Sequence, residues 1–262
     1  MTCHLARIDI FPVKSLDGVS VAQATVLGSG ALKGDRTYAL FDAQNRFING
    51  KRNAAIHRLR SVFSNDGESI TLAVDGAING DTPAVTFHLQ DQRPALEAWL
   101  SDYFQQPVTL RANHDLGFPD DTDASGPTLI STATIQTVAT WYNLTLDETR
   151  RRFRTNLEID GVPPFWEDQL FSADGSPVRF AIGDVVLEGI NPCQRCVVPT
   201  RDTRTGVATK SFQTSFTQQR VATLPDWSPR QRFNHFYRLA VNTNIANQHG
   251  QILKLGDSVS VI

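Results

Sequence analysis

Apolar and polar positions alternate through the first third of the chain. Ala6, Ile8 and Ile10 fall on one face of an expected strand. Ala22, Ala24 and Val26 do the same, then Ile70, Leu72 and Val74, then Val85, Phe87 and Leu89. This period of two, broken by the turn-forming pairs Asp66-Gly67, Asp75-Gly76 and Asn79-Gly80, predicts antiparallel β structure. The period then lengthens. Leu96, Trp99, Leu100 and Phe104 recur at helical spacing behind Pro94, which suits a first helical turn. Two short helices are predicted next: one over 132–142, capped by Ser131 or Thr132, and one after Thr145, where Thr145 and Glu148 have capping-box spacing. Strands then return. In Ile182-Gly183-Asp184-Val185 and Leu255-Gly256-Asp257-Ser258-Val259 a Gly-Asp turn precedes a β-rich run, a barrel-like local pattern.

Residues 112–127 interrupt this patterning with an acidic, turn-rich stretch. They mark the expected boundary between an N-terminal β-rich domain (1–115) and a second domain (116–262). A plain linker is the first expectation there, and a loop folded over a site the second. The expected fold class is α+β, mostly β, with a barrel-like second domain carrying helices on its flank.

Composition narrows the picture. The chain has 262 residues and 40% hydrophobic side chains, enough for a sizeable core. Lys plus Arg is 25 and Asp plus Glu is 27, a net charge of −2 that argues against a broad nucleic-acid or anionic-membrane surface. Three cysteines are too few for a disulfide scaffold or for the four thiolates of an ordinary iron–sulfur cluster. Arg7 and Asp9 break the opening stretch, so it does not read as a signal peptide, and no apolar run approaches the roughly 20 residues of a membrane span. The expectation is a soluble, cytoplasmic protein with neither a membrane nor a nucleic-acid partner.

The histidines are scattered, and no His-Glu-x-x-His or Gly-x-Ser-x-Gly pattern occurs. Residues 28–34 miss the dinucleotide fingerprint by one position and read as a turn. The sharpest local feature is Asn191-Pro192-Cys193-Gln194-Arg195-Cys196. It fits a buried cysteine pair, a thiol–disulfide centre, half of a zinc site, or a single soft thiolate ligand beside Arg195. Basic residues flank the strand and helix ends. Lys14, Ser15, Arg36, Arg154 and Asn156 are candidate partners for phosphate and heteroatoms, since Arg grips phosphate with two hydrogen bonds and Lys adds a point charge.

Taken in order, Phe-Pro-Val-Lys-Ser (11–15), Gly-Asp-Arg (34–36), Arg-Phe-Arg-Thr-Asn (152–156), Glu-Asp (167–168), Ile-Gly-Asp-Val (182–185), Cys-Gln-Arg-Cys (193–196) and Leu-Lys-Leu-Gly-Asp-Ser-Val (253–259) make the chain resemble MOSC-domain proteins over nearly its whole length. In these proteins an N-terminal β-rich domain precedes the MOSC domain proper. The resemblance implies a molybdenum cofactor, a pterin whose dithiolene sulfurs hold molybdenum, with Cys196 as the protein's metal ligand. It implies that Lys14, Ser15, Arg36, Arg154, Gln194 and Arg195 contact the pterin or its phosphate, with Ser125 near another contact. Gln194 stands where amidoxime-reducing members have Ser, and Phe236 falls near a cofactor-side Tyr. Asp168 has two readings, a catalytic carboxylate near the metal or pterin and a helix cap or ion pair. Cys193 reads as structural.

The reaction implied is reduction of N-hydroxylated compounds (hydroxylamines, amidoximes, N-hydroxylated bases) to amines. A separate donor is expected, either a ferredoxin-like or cytochrome-b5-like protein or a flavin reductase. The alternative is a carrier or sulfur-transfer role for the cofactor. Nothing in the chain resembles the pyridoxal phosphate domain of cofactor sulfurases.

Overall fold

The computed structural model describes residues 2–64, 67–75 and 83–262. The turn residues Asp66, Gly76, Asn79 and Gly80 lie outside the described residues. The strands are β1 (His4–Ile10), β2 (Val19–Ser20), β3 (Gln23–Thr25), β4 (Tyr38–Phe41), β5 (Leu59–Phe63), β6 (Ser69–Val74), β7 (Val85–His88), β8 (Thr109–Ala112), β9 (Leu129–Ser131), β10 (Leu157–Asp160), β11 (Val178–Ile182), β12 (Val185–Gln194), β13 (Arg238–Asn244), β14 (Ile252–Lys254) and β15 (Val259–Val261). The α-helices are α1 (Arg93–Phe104), α2 (Thr132–Tyr142), α3 (Leu146–Phe153) and α4 (Phe212–Ala222). The protein is mostly β, as expected.

The main sheet runs β15-β11-β12-β13-β9-β10-β1-β2, antiparallel except where β9 meets β10. β1 and β2 come from the start of the chain, yet they complete a sheet otherwise built beyond residue 128. β3 likewise pairs with β14. The sheet therefore crosses the 115/116 boundary. Its core buries Leu5, Ile8, Val26, Leu129, Leu157, Phe180 and Val241. A second core lies between β4–β8, β5–β6–β7 and α1, with Leu40, Leu59, Leu72, Phe87, Leu96 and Leu100 at its centre. A third packs α2, α3 and α4 through Ile135, Val138, Phe153, Phe212 and Phe216. Each fully buried Leu, Ile or Phe side chain contributes about 1.5–3 kcal/mol of transfer free energy.

Local chemistry explains most boundaries. Pro94 occupies the first turn of α1, which ends at Gln105 in the left-handed region. The Ser131 hydroxyl caps α2 by accepting from the Thr134 N–H at 3.1 Å. Thr145 caps α3 in the same way from Glu148 N–H at 3.1 Å, but the reciprocal half of the capping box is absent. The Glu148 carboxylate instead accepts from Arg152 Nε at 2.7 Å and Thr203 N–H at 3.2 Å. Gly183 (φ +55°) makes the β11–β12 turn and Gly256 (φ +89°) the turn before β15.

One expected face is wrong. In β1 the register against β10 shifts between Leu5 and Arg7. The irregularity changes the phase of the alternation, so Leu5 and Ile8 are buried while Ala6 is exposed.

Candidate functional site

β1 leaves the large sheet at Ile10 and passes to the small one. The Tyr38 N–H donates to Pro12 O at 2.9 Å and the Lys14 N–H to Tyr38 O at 2.7 Å. Lys14 and Ser15 are thereby set where the two cores meet. A cavity of about 870 Å³ opens there. It is lined by Lys14, Ser15, Arg36, Ser125, Arg154, Asn156, Gln194, Arg195 and Cys196, so both halves of the chain contribute to it.

Lys14 is nearly buried, and its Nζ donates to Phe118 O at 2.8 Å, Pro119 O at 3.2 Å and Asp120 Oδ1 at 2.9 Å. Burial lowers its pKa, with Asp120 opposing. Desolvation of Asp120 works against its charge, but Lys14, Arg36 and Lys51 outweigh it and hold the carboxyl well below the usual range. The acidic segment is thus a loop folded over the cavity. The plain-linker expectation is corrected, because the acidic side chain answers a buried lysine that lies far away in sequence. The loop is also fixed further along. Ser125 Oγ donates to Ser29 O at 2.8 Å, the Ser125 N–H to Asn244 Oδ1 at 3.1 Å, and the Gly126 N–H to Thr243 O at 2.9 Å. A Cβ on Gly126 would stand 2.6 Å from Thr243 O, so that approach requires glycine.

Arg36 and Arg154 share one aromatic platform. The Arg154 guanidinium carbon is 4.2 Å from the Phe11 ring centroid, and that of Arg36 is 5.3 Å away. Both residues, like Ser15, have positive φ, at +49°, +53° and +75° respectively for Arg36, Arg154 and Ser15. Arg154 is the left-handed C-cap of α3, and the helix end therefore aims it into the cavity. Arg36 pairs with Asp35, whose other oxygen accepts from the Phe11 N–H at 2.8 Å. Arg154 forms no ion pair with a carboxylate among the described residues. Desolvation first, and then the Arg36 charge, pull its pKa down to about 10.

Asn156 reaches the cavity wall, but its polar atoms serve the scaffold. Nδ2 donates to Asp9 O at 3.0 Å, while Oδ1 accepts from the Thr128 N–H and hydroxyl, both at 3.2 Å. Arg195 is similarly tied down. It donates to the carbonyl of Phe153 at the end of α3 and, through Nη1, to Cys193 Sγ at 3.2 Å. Its buried Nε has no partner. Cys196 Sγ accepts from the Val198 N–H at 3.5 Å, and Gln194 is exposed at the cavity wall.

Asp168 is not among the cavity-lining residues. It is buried, paired with Arg220 and accepting from Ser228, while Arg220 stacks over Phe165. The ion-pair reading describes it, because Arg220 is itself fully enclosed and takes the carboxylate as its counterion. Phe236 stacks on Phe233, with ring centroids 5.3 Å apart, and does not line the cavity. Cys193 does line it. The sequence reading missed Phe11 as a platform, Asp120 as an internal counterion, and Arg232 and Arg238 on the cavity wall. The acidic run at 120–123 was the one available signal for Asp120.

This donor set fits a phosphorylated heterocycle held by one thiolate. The cavity is within the size range of cofactor sites. It holds an arginine without a counterion and an orphaned buried guanidinium nitrogen. Among the described residues no cluster of three or more His, Cys, Asp or Glu side chains could hold a metal ion. No helix among the described residues is long and apolar enough to cross a membrane.

The human mitochondrial amidoxime-reducing component 1 is 24% identical over 241 residues, covering 79% of this chain and 68% of that protein. The molybdenum cofactor sulfurase of Caenorhabditis elegans is 28% identical over 134 residues, covering 50% of this chain and 16% of that protein. The solved structure of YiiM from Geobacillus stearothermophilus aligns with a TM-score of 0.34 at 9% identity, over 52% of this chain and 54% of that one. Residues 2–107 match the MOSC N-terminal beta barrel domain and residues 125–260 the MOSC domain, and the chain belongs to the MOSC family.

Proposed function

We propose that this protein is a molybdenum-cofactor oxidoreductase that reduces N-hydroxylated compounds to amines with electrons from a separate redox protein. The observation that carries this reading is the convergence of Cys196 with the unpaired Arg154 and the Phe11-stacked Arg36 in one cavity between the two domains. Arg36 and Arg154 would hold the cofactor phosphate, and Lys14, whose three donors serve the loop, would add its charge from behind. Ser15, Ser125 and Gln194 would meet the pterin edge, and Cys196 would ligate the metal. The bound cofactor supplies two-electron transfer and an oxygen-accepting metal.

The chain's own residues bind and orient. Phe11 fixes both guanidinium planes before any ligand arrives, which lowers the ordering cost of anion binding. Arg195 joins Cys193 to the end of α3 and thereby stiffens the turn that presents Cys196. The loop carrying Asp120 covers Lys14 and restricts water there.

The test is molybdenum and pterin content per chain, followed by turnover of an amidoxime with an artificial donor. Near one of each per chain, with turnover, is the expected result. A folded protein from a cofactor-competent host lacking both would remove the reading. The likeness to a cofactor sulfurase, together with the Cys193–Cys196 pair, favours one second reading, a carrier of the cofactor or its sulfur. A persulfide on Cys196 without stably bound cofactor would select it.

A further inference from the structure

Arg232 and Arg238 line the cavity beside the end of β12 that carries Cys193. Both are anchored to carbonyls of that strand. Arg232 donates to Ile190 O at 3.1 Å and to Ser172 O at 2.7 Å. Arg238 donates to Pro192 O at 2.7 Å and to Asn234 Oδ1 at 2.8 Å. All these acceptors are neutral, and among the described residues neither arginine has a carboxylate in ion-pair range. The acid facing this wall, Asp121, is instead engaged by Asn242 Nδ2 at 3.1 Å, which also donates to Asn191 Oδ1 at 3.1 Å.

The result is two ordered guanidinium groups with no counterion. They repel each other, and desolvation above all, with that repulsion behind it, lowers the Arg238 pKa. Arg238 keeps a second N–H on each Nη after its anchoring bonds, and such paired N–H groups fit the two oxygens of a carboxylate or phosphate. Asn191, Asn234 and Asn242 add amide groups on the same wall. The pair is distinct from Arg36 and Arg154. Those come from an N-terminal turn and the end of α3 and share Phe11, whereas these come from the segment before β13 and from β13 itself. Cys193 lines the same cavity as both pairs.

We propose that Arg232 and Arg238 form a second anion seat, which takes the carboxylate or phosphate group of the small-molecule substrate. The substrate part rests on the proposed function, and the seat itself does not. On this reading the preferred substrates are N-hydroxylated compounds that also carry an oxyanion.

The experiment titrates the full chain with inorganic phosphate at low ionic strength by isothermal calorimetry, using protein from a host that does not make the cofactor. Two phosphates per chain are expected for the wild type. Arg154→Gln and Arg238→Gln should each retain one, and the double variant none. Arg232→Gln and Arg238→Lys guard against misfolding, because each keeps part of the wall; both should weaken the second site at least roughly tenfold without touching the first. A single phosphate in the wild type that Arg154→Gln removes, or two phosphates retained in Arg238→Gln, would overturn the seat.

The substrate assignment is read from the cofactor-loaded enzyme as the ratio of kcat/KM for a carboxylated aryl amidoxime over its neutral parent. A ratio that falls at least about tenfold in Arg238→Gln supports it. An unchanged ratio overturns it. Two phosphate sites without turnover of any amidoxime would leave the seat standing and remove the reductase reading instead.

Discussion

Arg154 lays its guanidinium over the Phe11 ring, 4.2 Å from the centroid, in a cavity where it has no carboxylate partner among the described residues. A half-buried, unpaired charge is costly to the empty fold and becomes favourable only when an anion enters. Stability and binding are therefore opposed at this residue. Arg154→Met keeps the aliphatic contact with Phe11 and removes the charge. The cofactor-free variant should melt higher than the wild type by about 2–4 °C, the shift that 1 kcal/mol produces in a chain of this size. Its phosphate affinity should fall at least tenfold, roughly the value of one charge-assisted hydrogen bond. Differential scanning fluorimetry with and without phosphate measures both, and a lower Tm in the empty variant would contradict the argument.

The platform depends on Gly18. A Cβ there would stand 2.6 Å from Phe11 Cε1 and 3.0 Å from Ile10 O. The ring is buried and carries two guanidinium groups, so it has little freedom to yield. Gly18→Ala should cost about 1–3 kcal/mol, as overpacking does. It should also weaken phosphate binding, although Gly18 does not line the cavity. Urea denaturation and the phosphate titration test the two effects, and a stability loss with unchanged affinity would show that the ring position does not matter to the arginines.

Much of this was legible in the sequence because it is local. The Thr145 cap, the Gly183 turn and the helical stripe Leu96, Leu100, Phe104 all follow from neighbours within a few positions. The basic residues flanking strand and helix ends led to the cavity, since chain ends at sheet edges converge. What stayed hidden was decided by distant partners. Ala6 reads as a core position until the β1 register shift moves it outside. Asp120 is one acid in an acidic run until Lys14 selects it. Arg232 and Arg238 belong to no spacing pattern, and only the path of β12 gives them a shared wall.

Glu167 gives a pH-dependent prediction. It is buried beside Asp168, its Oε1 has no partner, and desolvation followed by the Asp168 charge pushes its pKa up to about 7. The folded state thus takes up a proton as pH falls below about 7, while the unfolded chain waits until about 4.5, the ordinary Glu value. The cost of the buried carboxylate is present in full above pH 7 and is relieved as pH drops toward 4.5. Glu167→Gln removes it, and the amide oxygen can still accept from Thr134. The variant should melt several degrees above the wild type at pH 8, with the gap closing toward pH 5. Parallel melting curves over that range decide it, and a gap independent of pH would mean the carboxyl does not titrate there.

Asp168 should prove structural. Replacing it with Asn leaves Arg220 charged, fully enclosed and without its counterion, a change that costs about 3–5 kcal/mol. Because Asp168 does not line the cavity, phosphate binding by the folded fraction should be unchanged. Guanidinium denaturation and the phosphate titration separate the two readings. Full stability with lost binding would return Asp168 to the site.

The cysteines should differ in reactivity by their surroundings. Burial pushes the Cys3 thiol up, away from the nucleophilic thiolate. Cys193 opens onto the cavity, with Arg195 Nη1 3.2 Å from its Sγ and Arg36 and Arg238 on the same lining, so a small reagent can reach it there. With brief iodoacetamide treatment at neutral pH, Cys193 should be alkylated well before Cys3, as read by peptide mass spectrometry. Phosphate bound in the cavity would obstruct the approach to Cys193 and should slow that labelling, whereas Cys3, which does not line the cavity, should not respond. Equal rates at the two cysteines, or phosphate-insensitive labelling of Cys193, would mean that the anion does not bind beside Cys193.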